Sequence, residues 1–153
     1  MENLLEVKNL SISFGHNTPL KNLSYSLKKG GTLSIAGESG SGKTISALAL
    51  LNLLGGAAEV KGEILFEGRD VLKMPSKDLR ALRGAGIGFV FQDPSPALNP
   101  VLTVYSQIEE VLLTHKICAK KQAHANVVNL LKETGLNFDK AKLYAYPHEF
   151  SGG

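Results

Sequence analysis

The stretch Gly37-Glu38-Ser39-Gly40-Ser41-Gly42-Lys43-Thr44 decides the fold class of this chain. It fits the pattern G-x-x-x-x-G-K-[ST], which is typical of a phosphate-binding loop between a strand and a helix. The residues before it, 32–36 (TLSIA), are predicted to form a short buried strand. Residues 45–51 (ISALALL) are apolar on most sides, which predicts a buried helix. The sequence therefore predicts an α/β fold built around this loop.

The residue types of the loop suit a polyphosphate and its Mg²⁺ ion. Gly37, Gly40 and Gly42 allow backbone conformations that a Cβ excludes, so successive N–H groups point into one concavity. The N-terminus of the following helix adds partial positive charge. Lys43 is predicted to reach the β- and γ-phosphates, and the Thr44 hydroxyl to take one position on Mg²⁺. The alternative is a glycine-rich turn that binds no ligand.

Composition is that of an ordinary globular protein. The chain has 153 residues, is 43% hydrophobic and carries a net charge of +3. Its basic residues are scattered among acids, so we expect no nucleic-acid surface. The single cysteine, Cys118, excludes an internal disulfide and fits a reducing cytosol. We expect neither a signal peptide nor a membrane span, because the chain lacks a basic leader and a long apolar run.

Hydrophobic periodicity predicts an antiparallel β layer around the loop. Alternation predicts strands over residues 4–7, 10–14, 20–27 and 60–66. Lys28-Lys29-Gly30-Gly31 is predicted to be a hairpin turn into the strand at residues 32–36. Residues 87–91 (IGFVF) are predicted to form another buried strand.

Helices are predicted further along the chain from caps and apolar spacing. Ser76 is predicted to cap a short helix that Gly84 closes, and Thr103 to cap a longer one. A third helix is predicted from about residue 119 to residue 134, with Gly135 as its stop. The inward-facing residues of the last two helices are predicted to be Ile108, Val111, Leu112, Ala123, Val127, Leu130 and Leu131.

Three further features bear on function, and each has an ordinary structural alternative. Gln92 follows the predicted strand at residues 87–91, where ligand sites of α/β sheets open, and it would either ligate Mg²⁺ or orient a water, or else be an ordinary polar residue of a surface loop. Phe14 ends a strand and would stack on an adenine or pack in the core. Ser151-Gly152-Gly153 would make a second anion site if it begins a helix, or else a frayed terminus.

Taken in order, these motifs resemble those of the ATP-binding subunits of ABC transporters. Phe14 stands at the aromatic adenine-stacking position, residues 37–44 match Walker A, and Gln92 opens the Q-loop. Tyr146-Pro147-His148-Glu149-Phe150-Ser151-Gly152-Gly153 resembles the start of the signature motif. Phe91-Gln92-Asp93-Pro94 with Leu98-Asn99-Pro100 looks most like the dipeptide, oligopeptide and nickel importer branch. The fold that this implies is α/β, a P-loop NTPase of ABC type with an antiparallel β subdomain and a helical subdomain.

The resemblance implies a role for each matching residue. Phe14 would stack on the adenine of ATP, while Thr44 and Gln92 would meet Mg²⁺ and the attacking water, which makes Gln92 the catalytic candidate. Ser151, Gly152 and Gly153 would contact ATP held by a second ABC ATPase subunit, in a homodimer or a heterodimer. The remaining ATP-binding residues would be those of Walker A, namely Gly37, Glu38, Ser39, Gly40, Ser41, Gly42 and Lys43.

The same resemblance implies partners, a location and an internal division. Residues 1–92 would form the β subdomain and nucleotide-binding core, and residues 93–153 the Q-loop and helical subdomain that grips a membrane permease. The subunit would lie peripherally on the cytoplasmic face of the plasma (inner) membrane. In this family the Walker B strand, its Asp, the catalytic Glu and a switch histidine follow the signature, and residues 1–153 contain none of them. We therefore expect these residues alone to bind ATP poorly or modestly and not to hydrolyse it appreciably.

Three functions remain open at this point. The leading one is an energy-coupling ATPase subunit of an importer for peptides or nickel. The second is an ABC ATPase without a transport role, and the third is a nucleotide-binding module without catalysis. The predicted helical insert after Gln92 favours transport.

Overall fold

The computed structural model describes residues 2–91, 97–134 and 140–150. The chain divides into two compact units, an N-terminal unit of residues Met1–Arg83 and a C-terminal unit of residues Gly84–Gly153. The functional division predicted at residue 92 stays a prediction. Within the described residues, no helix is both long and apolar enough to cross a membrane.

The N-terminal unit is organised by an antiparallel sheet of four strands. The strands are β1 (Asn3–Phe14), β2 (Asn17–Lys28), β3 (Glu59–Phe66) and β4 (Arg69–Asp70). Their order in the sheet is β2-β1-β3-β4, and β1 pairs with β2 on one side and with β3 on the other. One face of the sheet is buried, as the alternation predicts, and its core residues are Leu5, Val7, Leu10, Ile12, Leu20 and Ile64.

A bulge in β1 joins the two strands that the sequence predicts separately. Val7 and Leu10 are both buried although they are three positions apart, and the pairing with β2 shifts register between them. Asn9 has a φ of 50° and donates its backbone N–H to Ser24 Oγ at 2.8 Å. The extra residue returns Leu10 to the buried face, so one continuous strand replaces the two predicted ones.

Short helices complete the N-terminal unit. Helix α1 spans Lys43–Ala49, a 3-10 turn spans Val71–Lys73, and α2 spans Ser76–Ala81, followed by a π-helical turn at Leu82–Gly86. The predicted cap at Ser76 is wrong by one residue. Pro75 is the N-cap and its carbonyl accepts the N–H of Asp78 at 2.9 Å, which leaves Ser76 inside the first turn.

The two predicted buried strands beside the loop are not formed. Residues 31–38 and 88–91 lack strand pairing, and only Ile87 makes an isolated bridge. Ile35 is 44% exposed and Val90 is 94% exposed. A segment forms a β-strand only when a neighbouring strand is hydrogen-bonded to it. In the part of the chain that the structure describes, no strand pairs along either segment. The turn at Lys28-Lys29-Gly30-Gly31 forms, with Gly31 N–H bonded to Lys28 O at 2.9 Å, but it leads into extended chain rather than a hairpin.

The C-terminal unit packs its helices on a small apolar core. Its elements are α3 (Val104–Thr114), α4 (Lys120–Glu133), α5 (Lys140–Leu143) and a 3-10 turn at Pro147–Glu149. Thr103 caps α3 as predicted, since its Oγ1 accepts the N–H of Ser106 at 3.2 Å. The core consists of Leu112, Val127, Leu131 and Leu143, with Ile108 and Cys118 packed against it.

Two of the predicted inward residues face out. Val111 is 51% exposed and Leu130 is 41% exposed. Each lies one position before a core residue, Leu112 or Leu131, and one position rotates a side chain by roughly 100° around a helix. The residues that pack inward are spaced four apart, which places them on a single stripe. The buried stripe is therefore narrower than the apolar pattern indicates.

Candidate phosphate-binding site

The glycine-rich loop at residues 37–42 enters α1 through a left-handed residue. Gly42 is the N-cap of α1, with a φ of 88°. An added Cβ on it would lie 3.0 Å from the carbonyl oxygen of Pro19 and 3.2 Å from Leu20 Cδ1. Glycine is therefore required here both by backbone conformation and by the close approach of β2. This contact holds the start of α1 against the sheet.

The other two glycines serve the loop in different ways. Gly40 has a φ of 82° and open space on the side where a Cβ would be. Gly37 lacks the left-handed conformation, but a Cβ there would lie 2.8 Å from Ser41 Oγ. The predicted need for glycine thus has a conformational cause at Gly40 and a steric cause at Gly37.

The Lys43 side chain folds back across the loop that precedes it. Its Nζ donates to the carbonyl oxygens of Gly37 and Glu38, at 2.7 Å each, and to Ser41 Oγ at 3.3 Å. Hydrogen bonds from a charged donor are among the stronger ones in proteins. The ammonium therefore draws the loop into a curve and places a full positive charge inside it.

The first turn of α1 exposes one hydroxyl and buries another. Thr44 is exposed, as a metal-ligating or phosphate-contacting hydroxyl must be. Ser46 is 1% exposed and its Oγ donates to Lys43 O at 2.7 Å. The apolar pattern of residues 45–51 predicts only a buried helix and does not single out Ser46. A small polar residue inside an apolar run is the only indication that could have pointed to it.

Phe14 lies at the end of the sheet that carries the loop. It is half-buried and pairs with Asn17 across the turn between β1 and β2. Pro19 and Leu20 follow on β2 and lie against Gly42. The strand register therefore brings Phe14 and the loop to the same region of the N-terminal unit.

The other predicted site residues lie outside the residues that the structure describes. These are Gln92, Ser151, Gly152 and Gly153, and their roles stay predictions. Across residues 2–91, 97–134 and 140–150, no group of three or more His, Cys, Asp or Glu side chains could hold a metal ion. Thr44, which is exposed in the first turn of α1, carries the hydroxyl that is predicted to meet Mg²⁺.

Comparison with protein families and with curated proteins places the whole chain in one class. The profile of the ABC transporter family matches residues 20–153. The dipeptide transport ATP-binding protein DppD of Bacillus subtilis (strain 168) is 42% identical over 159 residues, covering 100% of this chain and 48% of the relative. The oligopeptide transport ATP-binding protein OppD of Escherichia coli (strain K12) is 41% identical over 154 residues, covering 98% and 46%. The chain thus spans about half the length of the curated relatives it matches.

Comparison with solved structures gives the same class. The ATP-binding cassette MJ0796, in a dimeric post-hydrolysis state bound to ADP and Pi, matches with a TM-score of 0.75 and 27% identity. The match covers 96% of this chain and 63% of that one. The predicted α/β fold, with an antiparallel β subdomain and a helical subdomain, is confirmed by this likeness.

Proposed function

The chain belongs to the ABC transporter family, and from that premise we propose that it is the ATP-binding part of an energy-coupling subunit of a peptide importer. The observation that carries the proposal is the Lys43 ammonium, held 2.7 Å from the carbonyl oxygens of Gly37 and Glu38 inside a G-x-x-x-x-G-K-T loop. This arrangement offers a fixed cation, exposed backbone and an exposed hydroxyl to one polyphosphate.

The loop fits the phosphates of ATP. The Lys43 ammonium makes two short bonds to carbonyls and a longer one, 3.3 Å, to Ser41 Oγ. The longer bond is the one most easily exchanged for a phosphate oxygen, so Lys43 keeps the loop curved while it binds the ligand. Residues 37–41 are exposed, which leaves their N–H groups accessible to phosphate. The residues proposed to hold ATP from this chain are Phe14, Gly37, Glu38, Ser39, Gly40, Ser41, Gly42, Lys43 and Thr44.

Magnesium fits the same end of α1. The Thr44 hydroxyl would hold Mg²⁺ together with the amide oxygen of Gln92, and hard oxygen ligands of this kind are the ones that Mg²⁺ takes. When bound, the ion neutralises charge on the phosphates. Gln92 would also orient the water that attacks the terminal phosphate. Ser151, Gly152 and Gly153 would contact ATP bound to a second subunit.

Transport is proposed as the process that this chain serves. Support comes from the relatives, which are by name dipeptide and oligopeptide transport ATP-binding proteins. These names favour peptides over nickel as the solute. The dimeric state of the solved cassette supports pairing with a second ATP-binding subunit. We place the subunit peripherally at the cytoplasmic face of the membrane, bound to permease subunits. A role outside transport is less well supported, since both of those relatives are transport proteins.

Binding of ATP by the protein, as expressed from its own gene, tests the proposal. The Kd of a fluorescent ATP analogue is measured with Mg²⁺ for the unsubstituted protein, for Lys43→Ala and for Lys77→Ala. Lys77 is an exposed lysine of α2 and serves as the matched control. Lys43→Ala removes a charged hydrogen-bond donor, which contributes about 2 kcal/mol to binding. We therefore expect the Kd of Lys43→Ala to be roughly 30-fold higher. Equal affinity in the Lys43→Ala and Lys77→Ala proteins would contradict the proposal.

A further inference from the structure

The end of α1 opposite to the phosphate loop is closed by its own backbone. The N–H of Leu53 donates to Leu48 O at 3.0 Å, and the N–H of Asn52 donates to Ala49 O at 2.9 Å. Asn52 has a φ of 49°, in the left-handed region. This is a Schellman motif, which satisfies two of the carbonyls at the end of the helix. The carbonyls of Leu51 and Asn52 come after those two and need partners from elsewhere.

Arg83, the last residue of the N-terminal unit, supplies these partners. Its Nε donates to Leu51 O at 2.9 Å and its Nη2 donates to Asn52 O at 2.8 Å. Leu51 is only 3% exposed. A guanidinium presents its donors in a fixed planar fork, so it binds two neighbouring acceptors at once. Its positive charge also complements the partial negative charge at the end of the helix.

We propose that Arg83 is a positioning residue of the nucleotide site, acting through α1 on the Lys43 loop. This inference rests on the proposed function. Arg83 binds just beyond the C-terminal end of α1, and the carbonyl that it holds on Leu51 is eight residues from Lys43, which begins the helix. At the other end of α1, Gly42 lies against Pro19 and Leu20 of β2.

Because α1 is held at both ends, its position along its own axis is set. Without Arg83, the end at Leu51 and Asn52 keeps its internal bonds and the packing of the buried Leu51, but it loses the fork that fixes its two carbonyls, so the short helix gains freedom to tilt about Gly42. A tilt moves Lys43, whose Nζ must stay within hydrogen-bond reach of Gly37 O and Glu38 O. The phosphate site then loses preorganisation although no group that contacts the ligand has changed.

The experiment measures ATP binding by the protein as expressed from its own gene, with three substitutions. Arg83→Gln removes the charge and the fork, and Arg83→Lys keeps the charge but not the paired geometry. Arg80→Gln is the matched control, because Arg80 is exposed on α2 and lies three residues earlier. Titration with a fluorescent ATP analogue gives both the Kd and the number of binding sites per molecule. The second quantity reports how much of the protein is folded.

If Arg83 positions the site, its substitution raises the Kd while the number of binding sites per molecule stays constant. We expect about tenfold weaker binding for Arg83→Gln, within the range for coupling through a packed element, an intermediate Kd for Arg83→Lys, and no change for Arg80→Gln. Fewer sites at an unchanged Kd would show a purely structural role and overturn the inference. Equal Kd values for Arg83→Gln and Arg80→Gln would overturn it too.

The same titration separates this inference from the proposed function. If Lys43→Ala weakens binding as expected and Arg83→Gln does not, the proposed function stands and the role of Arg83 is wrong. If the unsubstituted protein shows no saturable binding, both are wrong. If Arg83→Gln does not fold, Arg83→Lys still tests the inference. An unchanged Kd in Arg83→Lys, with the same number of binding sites per molecule as in the unsubstituted protein, would contradict a need for the paired geometry.

Discussion

The Lys43 ammonium donates a 2.7 Å hydrogen bond to the carbonyl oxygen of Gly37, six residues earlier, and so closes the phosphate loop on itself. The lysine that the sequence assigns to the ligand therefore also shapes the loop. A Cβ on Gly37 would collide with Ser41 Oγ, the third acceptor of the same ammonium. The geometry of the loop thus depends on one cation and on the absence of one methyl group.

Gly42→Ala should destabilise the N-terminal unit and distort the loop. The substitution puts a Cβ at a φ of 88° and 3.0 Å from the Pro19 carbonyl oxygen. A left-handed residue with a side chain costs about 1–2 kcal/mol, and the crowding adds to that. Urea unfolding measures the change. Gly56→Ala, with open space and no left-handed φ, is the control and should change stability by less than about 0.5 kcal/mol.

Gly62→Ala should be among the most damaging single changes in the sheet. Its φ is 106°, and an added Cβ would lie 2.6 Å from Lys8 O and 2.7 Å from Asn9 O, which are backbone atoms of β1. Since backbone cannot swing aside, β3 must separate from the bulge at Asn9. We expect a loss of more than about 3 kcal/mol in urea unfolding.

Gly68→Ala is the matched control for Gly62→Ala. It has a left-handed φ of 75° but nothing within 4 Å of the added Cβ. The control should therefore cost only the conformational term, roughly 1 kcal/mol. If Gly62→Ala and Gly68→Ala lose the same free energy of unfolding, the added Cβ at residue 62 does not clash with the backbone of β1, and the close approach of β1 to β3 is wrong.

Alkaline pH should destabilise the sheet through Tyr25. Burial raises the pKa of its phenol above the ordinary 10.0. In the unfolded chain the phenol loses its proton near 10, while in the folded chain it keeps it to higher pH. Its contribution to stability is therefore complete below pH 10 and is lost as pH rises through the folded pKa.

Tyr25→Phe removes this dependence and provides the measurement. The free energy of unfolding in urea, measured from about pH 9 to about pH 11, should fall less steeply in Tyr25→Phe than in the unsubstituted protein. Tyr146→Phe, at a 41% exposed position, controls for the loss of a phenol. Parallel curves for Tyr25→Phe and Tyr146→Phe would argue against a role for Tyr25.

Features that depend on neighbours in sequence were predicted well. Alternation located the strands of the antiparallel sheet, and the chemistry of Thr103 located the start of α3. The G-x-x-x-x-G-K-T pattern located the loop and the left-handed residues Gly40 and Gly42. Each of these follows from side-chain periodicity, a local hydrogen bond or the lack of a Cβ, all of which can be read within a few residues.

Features that depend on distant residues were missed or wrong. Residues 32–36 and 87–91 have the composition of buried strands, yet pairing requires a neighbouring strand that composition cannot supply. The bulge at Asn9 shifts the alternation by one residue, and only the register against β2 and β3 reveals that β1 is continuous. Val111 and Leu130 are apolar but face out, because the packing of α3 on α4 buries a narrower stripe.

The phosphate loop, its lysine and the family can be identified from residue types at fixed spacing. The contact between Arg83 and the end of α1 is visible only in the folded chain. Its bonds to Leu51 and Asn52 join residues 32 and 31 positions apart in the chain. No local pattern marks such a contact, since the two carbonyls are backbone groups that every sequence has. Eight consecutive residues are enough to form the loop, whereas its position depends on contacts with residues that are distant in the chain.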